Sequence, residues 1–341
     1  MLHFFTSLAE PAGPDRGAVA DGRMLAIADA PWPMSHKLGA GVTEATKGVV
    51  AMCVAASVWG LSPLFYAQLR DVPALEVLCY RALWSLIFFA TVLAVQGQLG
   101  AVAQGLGRYF GQVALAAVMI SVNWFGYIYA IGHGQGVEAS LGYFIFPLVA
   151  VLLGRLVFAE RLARLQWVAV GLAGLAVAVL TFGLGVPPWM ALMLAGTFGA
   201  YVLVKKRLAL GPIVSVTAEV LVLAPLAIGW LFWRGTVGPS HVHTHLLLAL
   251  SGPMTATPLI LFSYAARRVS LATVGLLQYI NPTLQFGCAV LVFAEPFTPW
   301  HAVAFPGIWA ALVLYSVSLL AQDRAARNAA SNAPTSSTVV M

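Results

Sequence analysis

Val157-Phe158-Ala159-Glu160 and Val292-Phe293-Ala294-Glu295 are two copies of one tetrapeptide, 135 residues apart. In both copies the glutamate stands 13 residues after a proline, Pro147 in the first and Pro282 in the second. The same shift lays Tyr129-Ala130 on Tyr264-Ala265. Nearer the N-terminus a shift of 139 lays Ser57-Val58-Trp59-Gly60 on Gly196-Thr197-Phe198-Gly199, and Pro73 on Pro212. Two related halves, each almost wholly apolar, point to a duplicated membrane architecture.

Composition agrees. Of 341 residues, 60% are hydrophobic and 9% charged. A soluble chain of this size cannot hide that much apolar surface, whereas a bilayer removes the need to. The apolar runs are continuous and long rather than alternating, which disfavours a β-barrel. The fold class expected is an all-α polytopic membrane protein with ten transmembrane helices in two inverted five-helix repeats. Spans 1–10 fall at about 48–67, 73–95, 110–131, 137–158, 164–182, 188–204, 213–233, 245–265, 271–293 and 299–321. Residues 1–46 lack a signal-peptide pattern and read as a disordered cytoplasmic tail, with Met34 offering an alternative start. Residues 47–185 and 186–322 form the two repeats, and 323–341 a disordered C-terminal tail.

Charge sets the direction. With the N-terminus inside, the cytoplasmic connections collect Lys47, Arg108, Arg155, Arg161, Arg164, Lys205, Lys206, Arg207, Arg267, Arg268, Arg324 and Arg327, besides Arg16, Arg23 and Lys37 in the leader. The outer side holds Arg70 and Arg234, and Arg81 lies within a span. This is a strong positive-inside bias, with both termini cytoplasmic in an inner (plasma) membrane. It also accounts for the net charge of +6 without nucleic acid. Five spans per half is an odd count, so the second half inserts upside-down. The loop after Glu160 is basic, and the matching loop after Glu295 has no Lys or Arg.

Several stretches carry a family likeness. They are Asn123-Trp124, His133-Gly134 through Glu138-Ala139-Ser140-Leu141-Gly142-Tyr143-Phe144, Pro147-Leu148-Val149, Arg161-Leu162, Gln166-Trp167, Gly275-Leu276-Leu277-Gln278-Tyr279-Ile280, Pro282-Thr283-Leu284-Gln285-Phe286 and Glu295-Pro296-Phe297. From about Lys47 to Gln322 the chain resembles the drug/metabolite transporter superfamily, and within it the RarD-type permeases of the EamA group. The resemblance implies a ten-helix inner-membrane permease and a link to chloramphenicol sensitivity, without a known substrate. Phe146, Gly132 and Ala150 stand where that family usually has Asn, and Asn281 where it tends to have a small apolar residue. A polar feature is thereby moved from span 4 to span 9.

Arg81 is the most conspicuous chemical group. It lies eight residues past Pro73, roughly 12 Å along the helix, and an intramembrane Arg costs about 2.5–3.5 kcal/mol unless it meets water or a partner. It either binds anionic groups in a central cavity, pairs structurally with a carbonyl or with Glu76, or snorkels. Glu219 sits in span 7, the repeat partner of span 2, and the resemblance includes a glutamate there. It and Glu76 are proton-coupling candidates, against a reading of Glu219 as a neutral packing residue. Gln278, Asn281 and Gln285 follow i, i+3, i+7 beside Pro282, and line a cavity or bond between helices. Trp59, Asn123, Trp124, Tyr127 and Tyr143 add rings and polar tips suited to an aromatic or mostly apolar metabolite, or simply to a membrane core. His133 and Glu138 flank the connection between spans 3 and 4, as a titrating pair or as a cap. Glu160 and Glu295 fit packing or gating rather than substrate contact. His241, His243 and His245 alternate, but no Cys or Asp accompanies them, so no metal is assigned. Cys53, Cys79 and Cys288 read as core residues.

No GxxxxGK[ST] or HExxH occurs, and no cofactor is implied. The expectation is a secondary transporter of small metabolites or drug-like solutes, working by alternating access. The pathway is lined by spans 1–4 and 6–9, with bending at Gly60, Pro63, Pro147 and Pro282. Its partners are the solute, the lipid bilayer and a proton as coupling ion. A membrane-embedded enzyme or lipid flippase is the alternative, for which the chain offers no titratable cluster. A passive channel is the third reading.

Overall fold

In hydrocarbon every backbone N–H and C=O needs an internal partner, so long apolar runs become helices. The computed structural model describes residues 44–158, 162–185, 187–234, 242–269 and 271–331, and these contain helices and no strand. Span 1 is α1 (Glu44–Gly60) continued by the short α2 (Ser62–Tyr66) and a 3-10 turn, Ala67–Leu69. Spans 2–8 are α3 (Ala74–Val95), α4 (Leu99–Gly132), α5 (Gly136–Phe158), α6 (Arg164–Leu184), α7 (Trp189–Lys206), α8 (Pro212–Arg234) and α9 (Val242–Ala266). Span 9 is divided into α10 (Leu271–Gln278), α11 (Ile280–Gly287) and a π-helical turn, Cys288–Val292, and span 10 is α12 (Pro299–Ser331).

Among the described residues, eight helices are long and apolar enough to cross a membrane. The other two of the ten expected spans fall short for visible reasons. Span 6 ends in Lys205 and Lys206, and span 9 is interrupted at Tyr279. Pro282 lacks an N–H for the carbonyl of Gln278 and its ring crowds that carbonyl. The helix breaks there, yet α5 runs unbroken through Pro147. Aromatic and aliphatic side chains such as Phe182, Phe232 and Leu291 stand exposed, as lipid-facing groups do.

Three boundaries correct the sequence expectation. Span 3 was expected at 110–131, but α4 begins at Leu99 and kinks at Tyr109 (φ −127°, ψ 25°). Its first segment seats Val102 beside Leu208 on the α7–α8 connection. The glycines and Gln104 in that segment interrupt the apolar run, which is why hydropathy alone missed it. The last helix carries on past 321 to Ser331, through alanine-rich sequence of high helix propensity, so residues 323–331 are helical rather than an unstructured tail. The N-terminal tail expected at 1–46 falls outside the described residues up to 43, and α1 already begins at Glu44.

Packing joins the two halves throughout. Span 4 packs on span 6, 5 on 10, 8 on both 1 and 2, 3 on both 6 and 7, 2 on 7, and 9 on both 1 and 4. Exchanging each span for the one five places on maps this pairing onto itself. Where α1 meets α11 the approach is close enough to need glycine. A Cβ on Gly60 would lie 2.7 Å from the Leu284 Cβ and 2.9 Å from the Asn281 carbonyl oxygen.

Candidate functional site

Arg81 lies in α3, 6% exposed. Its Nε donates to Thr255 Oγ1 at 2.9 Å, and Thr255 in turn donates to the Ser251 carbonyl at 2.8 Å. The guanidinium carbon sits 4.2 Å from the Trp124 ring centroid and 5.5 Å from that of Tyr66. Among the described residues no carboxylate comes within ion-pair distance of it. The structural pairing with Glu76 weighed from the sequence is therefore not formed.

Around this cation the rings continue. Tyr66 meets Tyr127 edge-on at 5.9 Å, and Tyr127 meets Tyr143 at 5.8 Å. Ser62 gives its proton to the Trp59 carbonyl, so Tyr127 is the donor in the 2.8 Å Ser62–Tyr127 bond. Tyr143 donates to Asn123 Oδ1 at 3.0 Å. The Asn123 amide nitrogen donates to the Leu194 carbonyl at 3.0 Å and to Thr197 Oγ1 at 3.2 Å. Arg81, Asn123, Trp124, Tyr127 and Tyr143 thus form one constellation, drawn from spans 2, 3 and 4 and tied to spans 1, 6 and 8. Trp59 does not join these rings and packs at 6.1 Å from Phe262 instead. Phe198, its counterpart under the 139-residue shift, occupies the place. It stands 6.0 Å from Tyr143 and 5.9 Å from Tyr201.

That ring chain ends at a second charged centre. Glu219, fully buried, accepts from Lys205 at 2.6 Å, from Ser215 at 2.9 Å and from Tyr201 at 3.0 Å. Lys205 also donates to Ser215. Sequence reasoning placed Lys205 among loop cations and missed this role. The signal lay in two i, i+4 stripes, Tyr201–Lys205 and Ser215–Glu219, facing each other across a short connection. Glu76, the other carboxylate considered, is buried in the first turn of α3.

The span 9 amides lie elsewhere. Gln285 donates to Asn281 Oδ1 at 2.8 Å, beside Gly60, while the side-chain oxygens of Gln278 and Gln285 are buried with no partner among the described residues. The break at Tyr279 separates Gln278 from the other two. After the π-turn, Ala294 adopts φ 51°, a strained value for a non-glycine residue. That turn delivers the Glu295 carboxylate to the N-terminus of α5, where it accepts from the backbone N–H groups of Gly136 (2.9 Å) and Val137 (2.8 Å). The bonds satisfy two orphan donors and complement the helix dipole. Glu160, its counterpart, and His241 lie outside the described residues.

The His133–Glu138 pair is absent. His133 Nδ1 donates to the Tyr129 carbonyl at 2.8 Å and the imidazole stacks on the Tyr129 ring, while Glu138 lies in the first turn of α5. His133 lines a cavity of about 280 Å³ with Arg70, Asp71 and Tyr66. Among the described residues no group of three or more His, Cys, Asp or Glu is placed to hold a metal ion.

Fold and site together define a polytopic α-helical membrane protein with a buried polar and aromatic centre. The profile of the EamA-like transporter family matches residues 46–182. Protein RarD of Streptomyces exfoliatus is 46% identical over 276 residues, covering 79% of this chain and 88% of that protein. The uncharacterized transporter YojE of Bacillus subtilis is 42% identical over 293 residues, with coverage of 84% and 98%. A solved crystal structure at 16% identity superposes with a TM-score of 0.54 over 79% of this chain and 96% of that one, a likeness of fold alone. The chain belongs to the EamA-like transporter family. It is a multi-pass membrane transporter and not an enzyme.

Proposed function

We propose that the chain is a secondary active transporter that moves small metabolites or drug-like solutes across the inner membrane, with both termini cytoplasmic. Residues 47–185 and 186–322 act as two inverted halves that rock around the Arg81 constellation. The observation that carries this reading is the gathering of a buried guanidinium, an amide and four aromatic rings inside a largely apolar bundle. Such groups cost free energy in a membrane protein and persist where they serve a pathway. The self-mapping of the span pairing supports two related halves, and the opposite charge of the loops after Glu160 and Glu295 supports their inversion.

Substrate contact is assigned to Arg81, Asn123, Trp124, Tyr127 and Tyr143, with Gln278, Asn281 and Gln285 lining a neighbouring stretch of the pathway. Trp59 drops to a packing position. Bending falls on Gly60, Pro63 and above all Pro282, where span 9 is already divided, and Pro147 is its unbroken counterpart. Glu219 is the preferred coupling carboxylate, ahead of Glu76. A proton taken up by Glu219 would release Lys205, and the ring chain from Tyr201 to Tyr66 offers a packed route to Arg81. Metabolite profiling of cells lacking and overproducing the chain, followed by flux in proteoliposomes under a proton gradient, tests the reading. A solute gradient that tracks expression supports it, and the absence of flux for every accumulating solute ends it. If Glu219→Gln leaves the pH dependence of flux unchanged, the coupling role is wrong.

A further inference from the structure

Resting on the transporter reading above, we infer that the solute is an organic anion: a carboxylate bound by Arg81, carried on a flat apolar or aromatic body held by Trp124 and Tyr66. The argument begins with donor accounting. A guanidinium carries five N–H donors in a fixed fork. In the structure one of them, on Nε, goes to Thr255, and among the described residues the two terminal nitrogens donate to no acceptor. One turn along the same face of α3, Ser85 is fully buried and its hydroxyl has no partner. A guanidinium fork with unused donors, on the helix face that also carries an unpartnered buried hydroxyl, suits a carboxylate, which accepts two parallel N–H bonds and has lone pairs to spare.

Charge sharpens the choice. Among the described residues Arg81 meets no carboxylate, so the fixed local charge is positive, and an organic cation brought to it is repelled in a poorly screened interior. A neutral amide offers the fork one carbonyl oxygen and brings no opposite charge. The rings then select the body of the solute. The faces of Trp124 and Tyr66 flank the guanidinium at 4.2 and 5.5 Å, and a planar solute extends the same stack. Tyr66 belongs both to this stack and to the wall of the 280 Å³ cavity next to Arg70, Asp71 and His133. It touches both that cavity and the buried cation.

The test uses the purified full-length chain in detergent, with equilibrium binding of radiolabelled benzoate competed by benzenesulfonate, benzamide and benzylamine. The two anions should bind at least tenfold more tightly than the amide and the amine. Arg81→Gln should weaken benzoate at least tenfold without changing benzamide, and Arg81→Lys should fall between. Equal binding of benzoate and benzamide, preference for benzylamine, or no binding of any of the four overturns the inference. So does Arg81→Gln with benzoate affinity intact. Should that variant not fold, the order of the four probes on the unmodified chain decides alone. Flux of neutral or cationic solutes in proteoliposomes, insensitive to Arg81→Gln, removes the anion assignment and leaves the transporter reading standing. Absence of any flux removes the latter instead.

Discussion

Arg81 in α3 and Glu219 in α8 fall almost at the same place when the two helices are aligned on their prolines. The shift that lays Pro73 on Pro212 lays Arg81 on Val220, one residue past Glu219. One position buries a cation with a single hydrogen bond, two ring contacts and, among the described residues, no carboxylate. The other buries a carboxylate that three side chains saturate. Positions one residue apart under that shift thus hold an ion pair that joins two helices and a cation whose fork is largely unused. A saturated group contributes to stability and is costly to remove. An unsaturated one contributes little to stability and is available for recognition.

The largest effect should come from breaking the saturated side. Glu219→Ala removes the carboxylate that accepts from Lys205, 22% exposed, and from the Ser215 and Tyr201 hydroxyls. Loss of about 3 kcal/mol is expected in denaturant unfolding from micelles. Next is Glu295→Gln, which weakens two charge-assisted bonds at the start of α5. About 2 kcal/mol is expected, with faster hydrogen exchange at the Gly136 and Val137 amides as the local reporter. Tyr201→Phe removes one donor to Glu219 and should cost about 1 kcal/mol, leaving the Lys205 pair in place. The smallest change is Tyr143→Phe on the Arg81 side. Asn123 keeps its bonds to Leu194 and Thr197, so about 0.6 kcal/mol, the usual scale of an interhelical bond in lipid, is the expected loss. If Tyr143→Phe costs more than Tyr201→Phe, the contrast between the two sites is drawn the wrong way round.

Much of this was legible in the residues themselves. Continuous apolar runs place helices because lipid leaves the backbone no other partner, and Arg81, Asn123, Trp124, Tyr127 and Tyr143 stand out as polar or aromatic groups with reason to meet. Three features escaped for physical reasons. Lys205 reads as a loop cation because hydropathy counts its charge and not its reach back along the helix. The break at Tyr279 depends on whether neighbours tolerate the bend at a proline, and Pro147 shows that the same residue leaves α5 intact. Trp59 and Phe198 are repeat counterparts, yet tertiary packing alone decides which ring enters the column.

The most direct test of the central contrast is a paired unfolding measurement of Arg81→Gln and Glu219→Gln in the same micelles. Removing a buried charge that has one hydrogen bond, two ring contacts and, among the described residues, no carboxylate should leave the Arg81→Gln chain within about 0.5 kcal/mol of the unmodified one, or above it, while Glu219→Gln loses about 2–3 kcal/mol by taking the counter-charge from Lys205. Equal losses in the two variants would contradict the account, since Arg81 would then be as firmly tied into the fold as Glu219.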